Sequence, residues 1–79
     1  MTDSTTYKNK PYLNKDQTVK VMQTLLEPDR EPRLNRRQIG RMMKVSQMTP
    51  YFWASGKNRA PLTLILLLTD AERGGLGLS

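Results

Sequence analysis

The chain has 79 residues, 13 Lys or Arg against 7 Asp or Glu, and neither Cys nor His. That length allows one small domain with a thin core, and a formal charge of +6 points to a polyanionic partner, most simply nucleic acid. Without thiol or imidazole, disulfides are excluded and zinc sites, iron sites and His-based acid–base chemistry nearly so; no metal or cofactor is expected.

Residues 1–11 are polar, aperiodic and end at Pro11, which predicts a flexible arm. Its lysines, Lys8 and Lys10, read as a solvated tail. The arm has no apolar stretch of the secretory kind, and the longest apolar run, Leu64 to Leu68, is too short to cross a bilayer. A cytoplasmic protein without membrane contact is expected.

Asn14 followed by Gln17 resembles a helix capping box, and Val19, Met22 and Leu26, with Val21 and Leu25, recur at helical spacing. This predicts a helix over Lys15–Leu26. Pro28 and Pro32 break it into a loop. Asn35 and Gln38 repeat the capping pattern ahead of a second helix, with Ile39, Met42 and Met43 as its apolar stripe and an end near Met43 or Lys44. Ser46 or Thr49 caps a third helix that runs to about Ser55, stopped by Gly56. Pro61 opens a fourth, Leu62 to Arg73, ended by Gly74-Gly75, with a C-terminal tail over 74–79 that is frayed from Leu76 onward. The expected fold is all-α: a small four-helix domain over residues 12–73.

The charge is unevenly placed. Between residues 35 and 59 stand six cations (Arg36, Arg37, Arg41, Lys44, Lys57 and Arg59) and no anion. The same segment holds the two short helices and tight turn of a helix-turn-helix arrangement. Gly40 provides the small residue where the helices cross. Ile39, Met43, Val45 and Trp53 would fill the angle between them, with Met42 and Met43 as core filler. Ser46, Gln47, Met48 and Thr49 stand where the second helix would present side chains to base edges. Arg36, Arg37, Lys44, Lys57 and Arg59 flank it for phosphates. Tyr51 and Phe52 cannot both be buried on one narrow helix face, so at least one is exposed.

The run from Gln38 to Lys57, with Val45-Ser46-Gln47 in the turn and Trp53-Ala54-Ser55-Gly56-Lys57 closing the second helix, resembles phage repressor and Cro-like (XRE-type) helix-turn-helix transcriptional regulators. The resemblance covers about residues 35–61. In size and build the chain is also similar to small anti-CRISPR-associated repressors of phages. The resemblance implies that Gln47, Met48, Tyr51 and Phe52 face the major groove: Gln47 pairing with adenine, Met48 and Phe52 against thymine methyls, Tyr51 at a base edge or phosphate. It implies that Ser46, Arg36, Lys57, Asn58 and Arg59 hold the backbone, with Arg37 and Lys44 as further contacts. Two positions depart from the pattern. Lys44 stands where the family has a turn glycine, so a positive φ there would be strained by about 1 kcal/mol or more. Pro50 replaces a buried aliphatic, which suits a helix with Thr49 as N-cap and Pro50 at its first position.

In the fourth helix, one apolar stripe needs only positions 64, 67, 68 and 71. Leu62, Ile65 and Leu66 are left over, which predicts a homodimer interface that spaces two recognition helices for a palindromic operator. The function expected is a sequence-specific double-stranded-DNA-binding regulator, most simply a repressor. The alternative is a protein-interaction module, such as an antitoxin or anti-repressor, that works through the leucine-rich helix. No catalytic constellation, small-molecule site or RNA-binding sheet is visible.

Overall fold

The computed structural model describes residues 12–78; the arm expected over residues 1–11, with Lys8 and Lys10, and Ser79 lie outside them. Among the described residues the chain forms α1 (Lys15–Leu25), α2 (Arg36–Met43), α3 (Thr49–Ser55), a 3-10 helix (Leu62–Leu67) and α4 (Asp70–Gly75), with no strand. It is all-α, as expected. Among these residues, no helix is long and apolar enough to cross a membrane.

The first two helices start where their sequence dictates. Asn14 Oδ1 accepts from the Gln17 amide (2.7 Å) and Gln17 Oε1 from the Asn14 amide (3.0 Å), closing a capping box. Asn35 and Gln38 repeat it at 2.8 and 2.9 Å. Each box satisfies two backbone groups that would otherwise lack partners at these helix starts.

The core is thin: Leu13, Val21, Met22, Leu25, Ile39, Trp53, Ala60, Leu64 and Leu68. Every element except α4 contributes to it. α1 lies in its middle, packing on α3 and on the 3-10 helix, while α2 packs on α3. Thr18 is buried among these groups yet fully engaged. Its hydroxyl donates to the Asn14 carbonyl (2.8 Å) and accepts from the Ala60 amide (3.1 Å). With the Leu13 amide donating to the Ala60 carbonyl (2.9 Å), this ties the start of α1 to the segment after α3.

The fourth helix differs from expectation. Leu62–Leu67 is a 3-10 helix, Leu68 is extended, and a separate α4 begins after Thr69. Thr69 and Glu72 form a third capping box, which gives the chain a competing helix start in the middle of the run. The predicted stripe accordingly fails at its end: Leu64 and Leu68 are buried and Leu67 half-buried, but Ala71 is exposed. Gly74 and Gly75 lie inside α4 rather than ending it. The stop is Gly77, at φ +72°, with its amide on the Gly74 carbonyl and the Leu78 amide on the Arg73 carbonyl (2.7 Å). The tail is therefore not frayed through residue 78; Leu76 and Leu78 fold back, half-buried, against the core.

Two further expectations are corrected. Met42 is 53% exposed and Val45 36% exposed, so neither fills the angle between α2 and α3. Ile39, Met43 and Trp53 do that work, because Ile39 and Trp53 are buried and Met43 packs on the cluster.

An unanticipated clamp holds α4 to the loop after α1. Arg30 Nε donates to Glu72 Oε2 (2.8 Å) and Nη2 to Glu72 Oε1 (2.9 Å), a two-pronged pair. The remaining donors reach the Leu67 carbonyl (2.9 Å) and the Pro32 carbonyl (2.6 Å). The Arg30 hydrogen bonds, with the Thr69 amide second, hold the Glu72 carboxyl down at about 2, well below its ordinary 4.5. A lowered folded-state value stabilises above the unfolded value and is lost as pH falls through it. Glu72→Gln, which leaves a nearly buried guanidinium unpaired, should cost about 2 kcal/mol at pH 7. In denaturant melts, the gap between wild type and variant should close as pH falls from about 4.5 to 2.

Gly40 is where α2 and the start of α3 meet most closely. A Cβ placed there would lie 3.3 Å from Pro50 Cγ and 3.5 Å from Gln47 Cα and the Ser46 carbonyl oxygen. Gly40→Ala requires only a slight shift. Gly40→Val should destabilise by about 2 kcal/mol through overpacking, read as a lower melting temperature by circular dichroism.

Candidate nucleic-acid interface

The turn between α2 and α3 is built from the end of α2 outward. The Lys44 amide donates to the Arg41 carbonyl (3.2 Å) and the Val45 amide to the Gly40 carbonyl (3.0 Å). This is the double closure also found at Gly56 and Gly77, but here its left-handed residue is a lysine, at φ 58° and ψ 45°. The turn thus takes a left-handed residue at Lys44, which accepts the strain of a positive φ. Lys44→Gly should raise stability by roughly 0.5–1 kcal/mol, the αL penalty less glycine's greater unfolded-state freedom. A chemical-denaturation midpoint that fails to rise would contradict this account of the turn.

α3 begins at Thr49, two residues after the start that a Ser46 cap would give and one before the start that a Thr49 cap would give. Met48 is its N-cap, Thr49 its first residue and Pro50 its second, a place where a missing amide costs nothing. Neither Ser46 nor Thr49 is the helix cap; Ser46 Oγ instead accepts from the Met48 amide within the turn (3.3 Å). Pro50 and Trp53 are buried and anchor the helix. The opposite side carries Gln47, Met48 and Tyr51, all exposed, while Phe52 is half-buried. Arg37 joins Gln47, Met48 and Tyr51 around one shallow groove, so α2 and α3 share a single surface there.

Two further cations lie against aromatic rings of α3. Arg36 lies over the Tyr51 ring, its Cζ 4.5 Å from the centroid, and Lys57 Nζ stands 5.5 Å from the Phe52 centroid. Arg37, Lys44, Ser46, Lys57 and Asn58 are all exposed. Arg59 is exposed but engaged: its Nε donates to the Leu13 carbonyl (2.8 Å), its Nη2 reaches the Tyr12 carbonyl (3.4 Å), and it lies over the Tyr12 ring. Arg59 thus fastens the chain ahead of α1 as well as adding charge.

Arg33 was not among the expected site residues. It borders a cleft with Leu34, Asn35, Arg36, Arg37 and Tyr51 at the start of α2. Its neighbours Asp29 and Glu31 hide it in a charge count along the sequence. Leu62 and Leu66 are exposed, 38% and 67%, whereas Ile65 is half-buried against the chain's own core. With Thr63 these three line a wholly apolar hollow.

No protein-family model, curated protein or solved structure matches this chain.

Proposed function

We propose that this chain is a sequence-specific DNA-binding transcriptional regulator of the helix-turn-helix type, acting as a repressor. The observation that carries the reading is the joint surface of Arg37 on α2, Gln47 and Met48 in the turn and Tyr51 on α3, set within a 25-residue stretch that has six cations and no carboxylate. In this reading α3 enters the major groove. Gln47 hydrogen-bonds a base edge and Met48 touches a thymine methyl. Arg36, Arg37, Lys44, Lys57 and Arg59, with Ser46 and Asn58, hold phosphates on either side.

The repressor is a homodimer in the cytoplasm, joined through Leu62 and Leu66 with part of Ile65, and its operator is palindromic. The apolar hollow of these residues supports that arrangement, because exposed leucines on so small a chain favour association. The same hollow favours the second reading, an interaction module whose partner is another protein.

Titration of the DNA upstream of the chain's own gene separates the two. The regulator reading expects saturable binding to an inverted repeat. With about six phosphates engaged, the log–log salt slope should be roughly −5. Gln47→Ala should lose about 1–3 kcal/mol on that repeat and little on scrambled sequence. Equal affinity for both sequences, or a monomer by sedimentation at micromolar concentration together with no binding, would favour the interaction module.

A further inference from the structure

Three arginines of this chain are held in three different ways. Arg30 spends its donors on Glu72 and two carbonyls. Arg59 spends two on the Tyr12 and Leu13 carbonyls. Arg36 has no hydrogen bond or ion pair to any described residue, and its Nε is shielded from solvent without a partner. What fixes its head is the face of Tyr51, 4.5 Å away. A flexible side chain that is unbonded, shielded from water at its Nε and set over a ring has been given a direction without having its outer donors used.

We propose that Tyr51 is a positioning residue: its ring is the platform that aims the Arg36 guanidinium at a DNA phosphate, and its hydroxyl reads no base. This rests on the DNA-binding reading and assigns a role within the same surface. The chemistry suits the task. A guanidinium offers five donors in a planar fork, and stacking occupies its face while leaving its edge free for a phosphate. The ring attracts the cation without neutralising it, so the full charge remains for the phosphate. A carboxylate in the same place would hold Arg36 equally well and cancel the charge that DNA must meet. Preorganisation of this kind spares the rotamer entropy that a free arginine loses on binding.

The geometry separates two roles for Tyr51 by the atom that matters. Binding of a short mixed-sequence DNA duplex, followed by fluorescence anisotropy across a salt series, reads phosphate contacts without needing the operator. Tyr51→Phe keeps the platform and should match wild type in affinity and slope. Tyr51→Leu removes it and should weaken binding several-fold, as Arg36→Ala does, with a slope shallower by about 0.9 in each case. The double variant should be no weaker than Arg36→Ala alone, because both changes remove one contact. Tyr51→Trp should retain the wild-type slope and serves as the second ring-bearing variant; Tyr51→Gln stands in for Tyr51→Leu if the latter loses the wild-type circular dichroism spectrum. A loss in Tyr51→Phe equal to that in Tyr51→Leu, or additive losses in the double variant, would overturn the platform role while leaving DNA binding intact. Failure of the wild-type chain to bind any duplex would instead overturn the DNA-binding reading beneath it.

Discussion

The inward packing of Pro50 and Trp53 governs what the rest of the surface can be. Pro50 and the backbone of Ser46 and Gln47 come against α2 at Gly40, where even a Cβ would ask for only a slight shift. Trp53, one helical turn beyond Pro50, can then reach the core that α1 supplies. With that side of α3 committed inward, Tyr51 has only the outside left. The exposure of Tyr51 is thus a consequence of packing on the far side of the same helix, a 7-residue element too short to support itself, while Gln47 and Met48 are exposed in the turn that leads into it.

Local signals were legible in the sequence and non-local ones were not. The two Asn-x-x-Gln boxes and Gly56 act within four residues of themselves, so α1, the start of α2 and the end of α3 fall where the pattern puts them. The leucine run 62–68 has no period, and a helix drawn through it passes over Thr69-x-x-Glu72, a capping signature as clear as the other two. Met42 and Val45 are apolar at plausible spacing, yet whether such residues are covered depends on where α1 and α3 come to rest. The Arg30–Glu72 pair spans 42 residues and leaves no trace in either neighbourhood. Among the candidate site residues, the sequence identified the charged segment but not the differing states of its arginines. Arg36 on a ring and Arg59 on two carbonyls are tertiary facts.

The ion pairs and the basic surface occupy different parts of the chain. Among the described residues the salt bridges are Asp16–Lys20, Arg30–Glu72 and Asp70–Arg73, none of which draws on residues 35–59. Six cations in 25 residues repel one another, and a thin core has little stability to spare against that. Two aromatic faces take the place of carboxylates there: Tyr51 under Arg36 and Phe52 near Lys57. Rings hold cations in place at a cost of none of their charge.

Acid should therefore act on the two parts differently. Protonating Glu72 releases Arg30, and with it the tie between the loop after α1 and the helix carrying Leu76 and Leu78. No carboxylate stands between residues 35 and 59, so the charge of the basic surface itself does not change over the same pH range. Because the folded chain holds Glu72 at about 2, mild acid leaves the clamp in place, and its loss in stronger acid acts on the protein's stability. The Leu64 and Leu68 side chains that the clamp helps seat belong to the same core as Trp53, so weakening at the C-terminal end reaches α3 through packing. In a chain of this size the scaffold and the binding surface share one core, and a pair of charges on the far side contributes to holding α3 in place.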